Sequence, residues 1–192
     1  METPVLILPG NTKRLLLHSC CAPCSGEIIK RLKDSGITFS ILFYNPNINT
    51  EKEYLRRKNE VIRFANKLSV NFFDLDYDNS EWANKIKGFE HETERGKRCT
   101  ACFSLRLEKT ALFANKNNFD VFTTSLGISR WKNFKQVCLC GYAAAEKYPG
   151  LIFWDHNWRK NGGSERMEKI SKQENFYRQT YCGCIYSKIK SF

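Results

Sequence analysis

No apolar run in the 192 residues approaches the ~20 that a membrane-spanning helix needs. Residues 1–10 hold no charged segment followed by an apolar run and a small-residue cleavage site, so no secretory leader is read there. A cytoplasmic protein without a membrane partner is the expectation. Neither G-x-x-x-x-G-K followed by Ser or Thr, nor G-x-G-x-x-G, occurs, so P-loop and dinucleotide binding are unsupported. There is no internal repeat, low-complexity tract or linker rich in Pro, Gly or Ser, and one domain over residues 1–192 is the economical expectation. Histidine is scarce: His18, His91 and His156 share no metal-ligand spacing. Acidic residues are outnumbered, 20 Asp and Glu against 31 Lys and Arg.

What is present is a core-forming composition, 42% hydrophobic and 27% charged, which excludes a disordered chain. The net charge of +11 marks a partner, since basic surfaces attract nucleic acid or anionic membranes. Nine cysteines are an odd number and cannot all pair. In a reducing compartment, clustered thiols serve metal binding or redox chemistry more often than structural disulfides.

Hydrophobic patterning predicts strands over 15–17, 39–44, 70–77, 119–125 and 151–154. Helices are predicted over 25–34, 51–68, 81–87, 102–117, 134–147 and 165–173, followed by a cysteine-bearing tail. Residues 161–165 (NGGSE) read as a flexible loop into a capped helix. Alternating strands and helices imply an α/β fold with a mostly parallel sheet covered on both faces, hence three layers. Ligands of such sheets gather at the carboxyl ends of the strands. Cys20, Cys21 and Cys24, then Thr123-Thr124-Ser125, then Asp155 and His156, are therefore expected to share one site, with His156 a candidate proton donor.

The cysteines fall into sets. Cys20-Cys21-x-x-Cys24 and Cys99-x-x-Cys102 each read as a loop beside a helix start, and two C-x-x-C spacings favour one shared metal centre over isolated redox pairs. Zinc and an iron–sulfur cluster both remain open. The adjacent pair Cys20-Cys21 favours a cluster, because neighbouring thiolates reach one tetrahedral ion awkwardly but can serve different irons. Cys182-Gly183-Cys184 could close only a small, strained disulfide ring, which suits a cycling redox pair; two further metal ligands is the other reading. Cys138 and Cys140 lie at i and i+2 of one predicted helix, point to different faces and read as packing residues.

Basic residues cluster at Arg56-Arg57-Lys58, at 95–98, at Arg130-Trp131-Lys132 and at Arg159-Lys160, with Arg166 and Arg178 following. Trp131, Trp158, Phe176 and Tyr177 interleave with them. Cations neutralise phosphates and aromatic rings stack on unpaired bases, so the set points to RNA.

The same segments carry a family resemblance. Leu16-Leu17-His18-Ser19-Cys20-Cys21-Ala22-Pro23-Cys24, Tyr44-Asn45-Pro46-Asn47-Ile48, Arg98-Cys99-x-x-Cys102-Phe103-x-Leu105-Arg106-Leu107 and Thr123-Thr124-Ser125-Leu126 are followed in order by Asn161-Gly162-Gly163 and Phe176-Tyr177-Arg178-Gln179-x-Tyr181-Cys182-Gly183-Cys184. Together they resemble the QueH family of epoxyqueuosine reductases across nearly the whole chain. The resemblance implies a three-layer α/β/α fold similar to the nucleotide-α-hydrolase-like (HUP) group. It also implies reduction of epoxyqueuosine to queuosine at the wobble position of tRNA, the last step of that modification. It further implies a [4Fe-4S] cluster on Cys20, Cys21, Cys99 and Cys102, with Cys182 and Cys184 as a redox-active pair. A second metal ion, iron, is implied beside the cluster, with Cys24 its candidate ligand. The implied partners are tRNA carrying epoxyqueuosine and an electron donor of unknown identity. Two rivals from other classes are a zinc-stabilised RNA-binding module and a metal-free thiol–disulfide oxidoreductase. The first leaves Cys182-Gly183-Cys184 unexplained; the second leaves the basic residues unexplained.

Overall fold

The structure, a computed structural model, describes residues 4–75 and 77–188. Five strands form one sheet: β1 Leu15–Ser19, β2 Phe39–Phe43, β3 Asn71–Asp74, β4 Val121–Thr124 and β5 Ile152–Phe153. Seven helices accompany them among the described residues: α1 Ala22–Asp34, α2 Glu51–Lys67, α3 Asn79–Lys85, α4 Lys97–Lys116, α5 Phe134–Ala145, α6 Gly163–Gln173 and the short α7 Ile185–Lys188. Strand order is β3-β2-β1-β4-β5 and every pairing is parallel.

The central strands are buried at almost every position, polar ones included, because both faces of the sheet are covered. Their side chains alternate between two cores. Leu15, Leu17, Ile41, Phe43 and Val121 face one core, shared with Ile28, Ile29, Val61 and Ile170 from α1, α2 and α6. Leu16, Leu42 and Phe122 face the other, shared with Leu107, Ala111, Val137 and Ala144 from α4 and α5. This period-two division makes the three layers. Leu15, Leu16 and Leu17 are fully buried, each burial contributing roughly 1.5–3 kcal/mol.

Several expected boundaries shift. The third strand, expected over 70–77, is only Asn71–Asp74 and lies at an edge, half exposed; residue 76 lies outside the described residues. The first helix begins at Ala22 rather than 25, since Pro23 is tolerated in a first turn, where its missing N–H costs nothing. The helix expected from 102 begins at Lys97, which moves Cys99 from a loop into the helix. Residues 161–165 are not a loose loop. Gly162 takes a left-handed φ of 76° as the N-cap of α6, and a Cβ on Gly163 would collide with the Trp158 carbonyl. That glycine pair is a close-packing requirement.

The order reverses at β1: β2 and β3 lie to one side, β4 and β5 to the other. A crevice therefore opens beyond the carboxyl ends of β1 and β4, where open parallel sheets bind ligands. The β1–α1 connection, Cys20-Cys21, enters this crevice.

Candidate metal centre

The crevice leads into a cavity of about 620 Å³, within the 300–1,000 Å³ range of small-molecule sites. Five thiols line it: Cys20, Cys21, Cys24, Cys99 and Cys182. The sulfur atoms of Cys20, Cys21 and Cys24 lie within 4.8 Å of one another. β1 and α1 impose this cluster. Cys20 and Cys21 follow the last residue of β1, Cys21 is the N-cap of α1, and Cys24 sits in its first turn with the Ser25 N–H donating to the Cys21 carbonyl at 3.0 Å. The positive end of the helix macrodipole thus faces three thiols.

Neighbouring strands add hydrogen bonds. The Ser125 hydroxyl, just beyond β4, accepts from the Cys20 N–H at 2.9 Å and donates to the Cys20 sulfur at 3.2 Å. The Gln179 amide donates to the Cys21 sulfur at 2.9 Å. Hydrogen bonds from the Cys21 and Cys24 thiols, then the Lys132 and Arg106 charges, hold Cys20 well below the usual thiol range. The bond to Cys20 is the first cause that pushes Cys21 and Cys24 up. Cys20 is thus the most acidic of the three, and a cation bound by all of them would displace the protons they carry.

α4 supplies the second set. Cys99 and Cys102, at i and i+3, share a helix face. The Cys99 sulfur accepts from the Arg95 N–H at 3.3 Å, and the thiol lines the cavity. Cys102 is buried behind it with Tyr44, Trp82 and Cys184. Cys182 is exposed and lines the cavity, while Cys184 is buried in the wall; both are free thiols. Of the expected ligands and redox pair, Cys20, Cys21, Cys99 and Cys182 line the cavity together with Cys24, Cys102 and Cys184 lie buried beside it, and only Cys20, Cys21 and Cys24 form a close sulfur group among the described residues.

Arg106 stands in one of the segments that carry the family resemblance, but the sequence assigns it no role; it lines the cavity although only 2% exposed. Its guanidinium donates to Asn45 Oδ1, and its Nε finds no partner among the described residues. A signal existed: Arg106 lies four residues after Cys102 on an otherwise apolar face. Asn47 Oδ1 and Gln179 Oε1, on residues that also line the cavity, are buried and likewise unpartnered. Buried polar atoms without partners cost about 1–3 kcal/mol each, so this lining suits a polar occupant. Among the lining residues four cations, Arg57, Arg95, Arg106 and Lys132, face one carboxylate, Glu94. Burial alone would depress Lys132, but the Cys182, Cys20 and Cys24 thiols outweigh it, raise it and keep it charged.

Other expected site members fall elsewhere. Asp155 accepts a hydrogen bond from the Tyr142 hydroxyl, and His156 packs between Trp154 and Trp158 at ring distances of 5.3 and 4.5 Å. Neither lines the cavity, because β5 is one strand removed from the crevice. Thr123 donates to the Trp154 carbonyl and Thr124 bonds His18 Nδ1 at 2.8 Å, so of that trio only Ser125 reaches the thiols. His18 Nε2 lies 3.1 Å from the Tyr44 carbonyl, an arrangement that places the proton on Nε2; burial first, then Arg106, lowers its pKa to about 3. It is a neutral structural histidine. Cys138 and Cys140 pack in the α4–α5 core as expected. Trp158, Phe176, Arg57 and Arg98 are buried too, so part of the expected RNA surface is framework.

The sequence model of the epoxyqueuosine reductase QueH family matches residues 15–190. The chain belongs to this family. It is 59% identical over 182 residues to epoxyqueuosine reductase QueH of Acinetobacter baylyi, covering 95% of this chain and 84% of that one. The Haemophilus influenzae QueH is also 59% identical, covering 95% and 74%. The more distant Thermotoga maritima QueH is 36% identical over 179 residues, covering 92% and 91%. Among solved structures, the U34-tRNA thiolase NcsA from Methanococcus maripaludis, with its [4Fe-4S] cluster, superposes at a TM-score of 0.57 over 93% of this chain and 62% of that one. At 8% identity that likeness is one of fold alone. Among the described residues no QueH helix here is long and apolar enough to cross a membrane.

Proposed function

We propose that this protein reduces the epoxide of epoxyqueuosine to queuosine at the wobble position of tRNA. Family membership across residues 15–190, joined to a thiol-lined cavity at the sheet's switch point, carries this reading. The parallel order β3-β2-β1-β4-β5 supports placing the fold in the nucleotide-α-hydrolase-like group.

Converting an epoxide to an alkene consumes two electrons and two protons and releases the oxygen as water. Ordinary side chains supply no such electrons, so a redox centre is needed. The residues fit an iron–sulfur cluster: soft thiolate donors converge, cations surround them, and two helix N-termini face them. Cys20, Cys21, Cys99 and Cys102 would hold it, and Cys24 would serve an adjacent iron. When bound, the cluster supplies electrons one at a time.

The chain's own groups do the rest. Arg106 and Lys132 balance thiolate charge. The Lys132 ammonium faces the cavity and offers a proton donor to an oxygen leaving there. Asn45 is held by the Ser19 carbonyl at 2.9 Å and in turn orients Arg106. Cys182, at the cavity wall, and Cys184, behind it, would relay reducing equivalents as a dithiol–disulfide couple. The modified base, turned out of the anticodon loop, would fill the cavity.

Anaerobic purification with iron and sulfide counts, followed by turnover of tRNA carrying epoxyqueuosine, tests the reading. About four irons and four sulfides in the cluster, with queuosine formed, are expected. One zinc, no sulfide and no turnover would leave a zinc-stabilised RNA-binding module instead.

A further inference from the structure

Beside the thiols, the cavity mouth carries a large aromatic ring that packs against little else. Trp131 lines the cavity yet is 65% exposed. Trp82 and Trp158 are buried in cores, and burial is the ordinary use of such a ring.

The backbone beneath Trp131 is firmly held. Arg95 Nε donates to the Trp131 carbonyl at 3.1 Å and its Nη2 to the Arg130 carbonyl at 3.2 Å. Arg159 donates to the Ser129 carbonyl and, at 2.9 Å, to the Lys132 carbonyl. Two guanidiniums therefore clamp four consecutive carbonyls, without a carboxylate among those bonds. Arg95 also ties this loop to the thiols, since its N–H donates to the Cys99 sulfur. The Arg130 guanidinium lies 4.9 Å from the Trp131 ring centroid, over its face. The loop is thus rigid, cationic and built to present one indole to solvent.

We infer that Trp131 is a positioning residue, the stacking platform for an unpaired base flanking the modified nucleotide. This inference rests on the proposed reading of the site. A cavity that admits one nucleoside leaves its strand neighbours at the mouth. There an exposed indole offers a sequence-tolerant face to a base, and Arg95, Arg130 and Lys132 offer charge to the adjoining phosphates. Three arginine and lysine side chains around one aromatic favour a polyanion over a protein surface.

The test uses iron–sulfur-loaded protein with anticodon stem-loop RNA carrying epoxyqueuosine. Trp131→Ala should raise KM for the stem-loop roughly 10-fold or more, the scale of one lost base–aromatic stack. Trp131→Phe should restore most of it. Iron, sulfide and the thermal midpoint should match wild type in both variants. Indole emission of wild type should be quenched as stem-loop is added, and Trp131→Phe should bind with most of that quench gone. Unchanged KM and unchanged quench in Trp131→Ala would overturn the inference. So would an unchanged KM joined to a loss of rate with a protein reductant but not with dithionite, which would make Trp131 a docking point for the donor. Absence of turnover in wild type would sink the reductase reading, while quenching by unmodified stem-loop would still decide whether Trp131 stacks.

Discussion

The two cysteine-bearing segments that meet at the cavity are held by different means. The Cys20-Cys21-x-x-Cys24 loop hangs from β1, the central strand, and leads straight into α1. The segment ending in Cys182-Gly183-Cys184 belongs to no strand and lies across α2 as a strap. Arg57 holds it, donating to the Cys182 carbonyl at 3.1 Å and the Tyr181 carbonyl at 3.4 Å while paired with Glu53 at 2.7 Å. The Asn49 N–H donates to the Gly183 carbonyl at 2.9 Å, the Tyr181 hydroxyl to the Asn49 carbonyl at 2.6 Å, and the Tyr177 N–H to Glu60 at 3.0 Å. Arg56 covers the Tyr177 ring at 3.4 Å. The first segment inherits the stability of the whole sheet. The second is anchored in the cores at Phe176 and Cys184 and held between them by polar contacts, so its opening is expected to be local. That contrast suits their proposed roles, fixed ligands against a thiol pair that must be re-reduced.

Breaking the first segment should have the largest effect. Cys20→Ser is expected to lower turnover at least ~100-fold, the loss of about 2.7 kcal/mol or more in the barrier, together with iron and sulfide content. Retained iron, sulfide and turnover would remove Cys20 from the ligand set.

Arg57→Ala attacks the strap and leaves the β1 loop untouched. The side chain is buried, so losing it leaves Glu53 and two carbonyls short of a partner, at a cost of about 3 kcal/mol. Faster amide exchange over 176–184 is expected, with exchange in β1 unchanged. Equal acceleration in both places would show that the two segments open as one unit.

Gly183→Ala is a milder break. Gly183 adopts φ of 113°, and a Cβ there would sit 2.9 Å from Ile48 and 3.2 Å from Arg57. A cost of about 1–3 kcal/mol should make trypsin cleave sooner after Arg178 while the iron content holds. Cleavage at the wild-type rate would place the strain elsewhere.

The smallest effect belongs to the sheet. Asp120 accepts from the Lys13 and Arg14 N–H groups at 3.0 Å, and these bonds hold its carboxyl below the usual value. A depressed folded pKa stabilises above the unfolded value of 3.8 and is lost as pH falls through the folded one. Asp120→Asn should therefore flatten the acid limb of the thermal midpoint below about pH 4, slightly, because water still reaches the group and screens it. An unchanged limb would show the bonds carry no linkage.

The strands and their order of appearance were legible because β1, β2 and β4 are built around short apolar stretches such as Leu15-Leu16-Leu17, which two covered faces explain. The thiols at the carboxyl end of β1 were legible for the same reason. Arg57, Arg98 and Trp158 misled as surface residues, because composition cannot tell a solvated arginine from one whose donors meet backbone carbonyls. Asp155 and His156 misled because strand order, and thus distance from the switch point, is not written in local pattern.

By itself the sequence determined the α/β alternation, the cysteine spacings and the net positive charge, since each depends on residues near one another in the chain. Only the tertiary structure decided that Cys99 and Cys182 line one cavity with the Cys20-Cys21-x-x-Cys24 loop, that Arg106 lies buried beside the thiols, and that Trp131 stands at the mouth. Those facts depend on groups distant in the chain, brought together when burial of both sheet faces selects one strand order and one packing of the helices.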